Sequence, residues 1–155
     1  MDIKSINPIE PVSTIMTRKL VTVSRKNRFS DIRKMLMENN FSHLPVLENN
    51  QLIGLVSTSD MLRYYAEDPF NEDPDQLSSS YNELFSIDQV MQDNPMTISP
   101  TDSIKTAAEI FCEVDFHSLP VVEGKTLVGM VTSTDIIRYF LKCCDSVFNS
   151  NSDKE

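Results

Sequence analysis

Apolar residues Phe29, Ile32 and Leu36, with Met35 beside them, recur at three- and four-residue steps between Asn27 and Asn40, and this spacing predicts an amphipathic helix. Two short apolar runs follow, Phe41 to Leu47 and Leu52 to Val56, parted by the polar Glu48-Asn49-Asn50-Gln51, which together predict a β-hairpin. Pro45 lacks a ladder donor and fits only an edge or the first residue of its strand. Ahead of the helix, Ser13-Thr14-Ile15-Met16 reads as a single helical turn and Leu20-Val21-Thr22-Val23 as a strand. After the hairpin, Ser57-Thr58-Ser59 leads into a second helix from Asp60 to Tyr65, and these hydroxyls and the carboxylate suit its N-terminus.

The same order then returns. Ile87 to Met91, Met96-Thr97-Ile98, a helix around Ile104, Ala107, Ala108 and Phe111, the runs Phe116 to Val122 and Leu127 to Val131, and a helix from Asp135 repeat the first half. A constant offset of 75 positions relates Met16 to Met91, Thr22 to Thr97, Phe41 to Phe116, Pro45 to Pro120, Gly54 to Gly129, Asp60 to Asp135 and Arg63 to Arg138. The chain is therefore expected to be α+β, two βαββα repeats. Each is too short to cover both faces of its own sheet, so the two are expected to pack about a pseudo-twofold axis. The expected divisions are a lead-in over 1–11, repeats over 12–66 and 86–144, an acidic linker over 67–85 with a short helix near Tyr81 to Phe85, and a disordered polar tail over 145–155.

Composition narrows the function. The 155 residues carry a net charge of -9, which disfavours general affinity for nucleic acid or anionic lipid, so neither is an expected partner. The charge is uneven: up to Ala66 lie 9 of the 14 Lys and Arg but only 6 of the 23 Asp and Glu. Arg25, Lys26, Arg28, Arg33 and Lys34 form a basic run best read as a solvated face, with a nucleic-acid surface ranked last. No apolar run is long enough to span a bilayer and none at the start resembles a signal peptide, so a cytoplasmic location is expected. Three cysteines, Cys112, Cys143 and Cys144, have neither disulfide nor zinc spacing and are expected as reduced residues on helices.

The candidate chemistry sits in the repeated stretch Gly54-Leu55-Val56-Ser57-Thr58-Ser59-Asp60 and its counterpart Gly129-Met130-Val131-Thr132-Ser133-Thr134-Asp135. Gly54 and Gly129 permit close approach of a backbone or a flat ligand, or serve as turn or bulge glycines. The hydroxyls lie where a helix begins and a phosphate is favoured, although simple capping explains them too. Asp60 and Asp135 either complement the helix dipole or accept ribose hydroxyls. His43 and His117, the two histidines, occupy non-equivalent positions and make a poor metal site, so no metal is expected. No nucleophile elbow, phosphate-binding GxxxxGK[ST] loop, HExxH motif or paired acid and base is present, and a non-enzyme is expected.

Two such units, each with a Met near its start, Thr-Val or Thr-Ile, Leu-Pro-Val, and then Gly, an apolar residue, Val, a hydroxyl, two residues and Asp, resemble a tandem of cystathionine β-synthase (CBS) domains, a Bateman module, over roughly residues 12 to 143. The resemblance implies a stand-alone regulatory module for energy sensing that binds AMP, ADP or ATP, requires no cofactor, forms a disc-like homodimer and controls a protein partner. It implies ribose contacts from Asp60 and Asp135 and phosphate-side contacts from Ser57, Ser59, Thr132, Thr134, His43 and His117. Adenine is expected near Leu20, Val21, Ser42 and His43 for the Asp135 cleft, and near Pro95, Met96, His117 and Ser118 for the Asp60 cleft. In some members the two positions before Leu-Pro carry His or Arg that reach phosphate; Ser42-His43 and His117-Ser118 supply one such residue each. The alternative is a ligand-independent dimeric scaffold with vestigial clefts.

Overall fold

A computed structural model describes residues 7, 9–39, 41–66 and 85–152, and the side chains of these except 64–66 and 146–152. The chain divides into two compact units: a continuous one, Val21–Pro95, and a split one made of Met1–Leu20 and Met96–Glu155. These units do not coincide with the sequence repeats. Each repeat gives its leading segment to the unit built on the other, a choice that periodicity does not encode because the two segments are near-equivalent.

The continuous unit holds α1 (Phe29–Glu38), the hairpin β1 (His43–Glu48) and β2 (Gln51–Ser57), α2 (Thr58–Ala66), a short α3 (Ile87–Val90) and β3 (Gln92–Asp93). Phe29, Ile32 and Leu36 bury the expected face of α1 against Val23, Leu44, Val46, Val56 and Met61, and Ile87, Val90 and Met91 complete this core. Met37 falls off this apolar face of α1 and is 63% exposed. The hairpin turns through Asn49 and Asn50, both at positive φ (50° and 64°), the conformation a two-residue turn demands and Asn tolerates. The strand expected at Leu20 to Val23 reduces to one parallel bridge, in which Val23 N–H donates to Pro45 O (2.9 Å) and Leu47 N–H donates to Val23 O (2.8 Å). Pro45 therefore turns its missing donor toward this outer edge, where nothing requires it, and β2 loses no partner.

The split unit repeats the scheme. A 3-10 turn (Val12–Thr14) precedes α4 (Ile104–Glu113), β4 (Ser118–Glu123), β5 (Thr126–Thr132) and α5 (Ser133–Ser152). Val12, Met16, Ile98, Ile104, Ala107, Leu119, Val121, Val131 and Ile136 form its core. Ser103 caps α4 by accepting from Thr106 N–H (3.0 Å), and Ile98 bridges Val121 as Val23 bridges Val46. Helix α5 runs to Ser152, past the point where polar composition predicted disorder. No Gly or Pro interrupts the chain after Asp135, so the helix has no stop signal there. The expected linker helix near Tyr81 to Phe85 lies outside the described residues but for Phe85, which packs on the continuous core, 6.2 Å from the ring of Phe29.

The two glycines explain the exchange. A Cβ on Gly54 would stand 2.5 Å from Met91 Sδ and 3.2 Å from Gln92 O; on Gly129 it would stand 2.5 Å from Met16 Sδ and 3.2 Å from Thr17 O. Close approach is therefore real, but it is made by the chain's own methionine and backbone rather than by a flat ligand. Gly54 pairs with Asp93 across β2 and β3, and Thr17 and Met130 exchange both backbone hydrogen bonds (2.8 and 2.9 Å). The glycines seat the leading segments.

Candidate functional site

Strand β2 delivers Ser57 straight into the first turn of α2, and β5 delivers Thr132 into α5. At both junctions a reciprocal cap forms. Ser57 N–H and Oγ–H donate to Asp60 Oδ2 (3.0 and 2.6 Å), and Asp60 N–H donates back to Ser57 Oγ (3.0 Å). In the split unit Thr132 N–H and Oγ1–H donate to Asp135 Oδ2 (2.9 and 2.7 Å), and Asp135 N–H donates to Thr132 Oγ1 (3.2 Å). Capping is thus one task of these residues. It occupies one carboxylate oxygen and leaves Oδ1 outside the cap, at the start of the helix.

A hydroxyl has one proton, and those of Ser57 and Thr132 are committed to the carboxylates. Of the hydroxyls expected to face phosphate, Ser59 and Thr134 are exposed and carry no such commitment. His43 opens β1 opposite Ser57, and Ser118 opens β4 opposite Thr132. The preceding residues, Ser42 and His117, are exposed and accept through their carbonyls from Thr58 N–H (3.0 Å) and Ser133 N–H (3.1 Å). Each unit therefore gathers one pair before Leu-Pro around its own helix start: Ser42 and His43 near Asp60, His117 and Ser118 near Asp135. Ser118 is only 5% exposed, and its Oγ finds no hydrogen-bond partner among the described residues.

The remaining expected positions lie where the chain passes between units. Leu20 ends one segment and Val21 begins the next; Pro95 and Met96 do the same later. Val21 and Met96 are 39% and 49% exposed.

Arg63 and Arg138 received no role from the sequence, although an Asp followed three residues later by Arg was the visible signal in both repeats. Arg63 NH2 lies 2.7 Å from Asp60 Oδ1, whereas Arg138 NH1 lies 3.7 Å from Asp135 Oδ1. Asp60 and Arg63, with Gln89, Val90, Met91 and Gln92, line a polar pocket of about 360 Å³ in the continuous unit.

Elsewhere, the basic run is partly neutralised within its own unit: Arg25 pairs with Glu48 and Asp88, both at 2.7 Å, and Lys34 lies 3.9 Å from Glu38. Hydrogen bonds and charge from Asp88 and Glu48 raise the Arg25 pKa above its ordinary value. The split unit is fastened differently, by Tyr139, whose Oη donates to Glu10 Oε2 (2.8 Å). Burial and then the Glu10 carboxylate push that phenol up to about 12. Among the described residues no three His, Cys, Asp or Glu gather as a metal site, and no helix is long and apolar enough to cross a membrane. Cys112 and Cys144 are exposed, Cys143 is buried, and all three are free thiols.

A family model described as CBS domain matches residues 12–67 and 87–142. The chain is 26% identical to an uncharacterized protein of Methanocaldococcus jannaschii, MJ1225, over 87% of its own length, and it spans about half the length of the curated relatives it first matches. The solved structure of MJ1225 superposes with a TM-score of 0.76 at 24% identity, covering 89% of this chain and 50% of that one. CBSX2 of Arabidopsis thaliana, solved in complex with AMP, superposes at 0.72 and 24% identity over 86% and 97% of the two chains. The CBS domain pair of MJ0100, solved with 5'-methylthioadenosine and S-adenosyl-L-methionine, gives 0.70 and 24% over 86% and 97%. These likenesses show the fold.

Proposed function

The chain belongs to the CBS-domain family, and from that premise we propose that it is a regulatory module that takes an adenosine nucleotide, AMP, ADP or ATP, at Asp60 and Asp135 and relays occupancy to a protein partner. The observation that carries this reading is the double cap. Two carboxylates are held by one oxygen each, at helix starts, with the other oxygen placed outside the cap to accept sugar hydroxyls. Bound AMP in CBSX2, and bound adenosine derivatives in the MJ0100 pair, support an adenosine-bearing ligand. Exposed Val21 and Met96 are assigned to the ring, and Ser59, Thr134, His43 and His117 to the phosphate side; Ser57 and Thr132 act mainly by fixing the carboxylates. The orphaned Ser118 hydroxyl adds a polar group that a ligand or water can satisfy.

Binding alters a partner only through different affinities for two shapes of the protein, so the relay requires the nucleotide to favour one of them. Self-association is supported by Ile137, Phe140 and Leu141, which α5 leaves 58%, 41% and 59% exposed. Beside them lies an apolar groove of about 400 Å³ lined in part by Ile104, Ala108 and Cys112. The functional reading is tested by a thermal-shift panel of adenosine and guanosine nucleotides and S-adenosylmethionine. Adenosine nucleotides are expected to raise Tm, and Asp60→Ala and Asp135→Ala each to diminish the rise. No shift with any adenosine nucleotide at millimolar concentration contradicts the reading and favours the scaffold.

A further inference from the structure

The two carboxylates are dressed alike by their caps and differently by their arginines. A carboxylate offers about four acceptor positions, two on each oxygen. The caps use both on Oδ2 in each unit. On Asp60, Arg63 takes one of the two on Oδ1 at 2.7 Å, leaving one. On Asp135, Arg138 stands 3.7 Å away, beyond hydrogen-bond reach, leaving two. A vicinal diol presents two donors, so Asp135 can receive both hydroxyls at once and Asp60 only one while Arg63 stays in place.

We propose that Arg63 is a displaceable latch on Asp60, so that the Asp135 half-site fills first and the Asp60 half-site fills only as the ligand's diol displaces the guanidinium. The inference rests on the nucleotide reading and adds an order of occupancy to it. The latch is weak by construction. Arg63 is 66% exposed and Asp60 20%, so solvent screens the pair and its opening costs only about a two- to five-fold loss of affinity. An unlatched guanidinium also has somewhere to go, since Arg63 shares the polar pocket wall with Gln89 and Gln92. The positions equivalent to these glutamines in the split unit are Thr14 and Thr17, whose shorter side chains offer less to an arginine.

The test is calorimetric titration of the full chain with AMP. Asp60→Asn identifies which step belongs to which half-site, and the expected result is loss of the weaker step. Arg63→Ala and Arg63→Gln are expected to tighten that step about two- to five-fold, and Arg138→Ala to leave the tighter step unchanged. Raising ionic strength is expected to narrow the gap between the steps in the wild type and not in Arg63→Ala. The latch is overturned if Asp60→Asn removes the tighter step, or if both Arg63 variants leave the weaker step unmoved or weaken it. Absence of any AMP binding would instead contradict the nucleotide reading. The pairing difference beneath the latch is tested separately without ligand, by a double-mutant stability cycle of Asp60→Asn with Arg63→Ala against Asp135→Asn with Arg138→Ala: coupling confined to the first pair is expected, and no coupling there, or equal coupling in both, overturns the latch.

Discussion

The continuous and split units are built from the same parts at the same spacing, yet each is fastened by its own device. In the continuous unit Arg25 ties the approach to α1 to the hairpin through Glu48 and to α3 through Asp88. The split unit has Pro100 where that arginine would fall, and instead pins its leading segment through Tyr139 to Glu10 and to the backbone of Asn7. The hairpin core positions Leu44, Val46 and Val56 recur as Leu119, Val121 and Val131 and the reciprocal caps recur at Asp60 and Asp135, whereas the surface fasteners do not. Packing and capping are strict demands of the fold; exposed ion pairs contribute little and are free to differ. Any functional difference between the half-sites is expected where they differ, at the Arg63 and Arg138 contacts and at His43 against the buried Ser118.

The strongest test of equivalence is in the cores. Leu44 and Leu119 are 1% and 0% exposed at equivalent positions, so Leu44→Ala and Leu119→Ala should each cost about 2–5 kcal/mol in chemical denaturation. A large inequality would break the likeness of the two interiors. Next, Gly54→Ala and Gly129→Ala should each cost about 1–3 kcal/mol, because the new methyl meets a methionine sulfur and a carbonyl oxygen. Adding Met91→Ala to the first, or Met16→Ala to the second, should recover part of the loss by removing one of the two obstacles; no recovery would mean that the backbone contact dominates.

Smaller effects separate the units. Asp60→Ala and Asp135→Ala each remove a cap and should cost about 1 kcal/mol without ligand, measured by thermal or urea unfolding. Tyr139→Phe should cost about 1 kcal/mol through the split unit alone. Its pH dependence has a definite sign: the folded phenol is raised from 10.0 to about 12, so its contribution is complete below pH 10 and lost as pH rises through 12. Wild type should therefore lose more stability than Tyr139→Phe across that window. Arg25→Ala should produce the smallest change, further reduced by salt.

Much of this was legible in the sequence because periodicity reports which face of an element is buried. The amphipathic helices, both hairpins and the repeated helix starts follow from apolar spacing and from Ser, Thr and Asp at the caps. Pro45 read correctly as an edge-strand residue, though the segment beside that edge shrank to a bridge. What spacing could not reveal was which unit each leading segment joins, since Met16 and Met91 suit either glycine. Nor could it divide the labour within one carboxylate. Asp60 was read as a cap or a ribose acceptor; its Oδ2 carries the cap and its Oδ1 meets Arg63. Arg63 was visible as an i, i+3 pair, but its contact with Asp60 and the wider gap at Arg138 are matters of conformation rather than of residue type.

The central claim is that Asp60 and Asp135 accept the sugar of an adenosine nucleotide through the oxygen their caps leave unused. A crystal structure of the full chain grown with saturating AMP tests it most directly. The account predicts ribose hydroxyls within hydrogen-bond distance of Oδ1 of both aspartates, with the caps on Oδ2 intact and Arg63 withdrawn from Asp60. AMP bound with its ribose on other residues, or both carboxylates still free of it at saturation, would contradict the account.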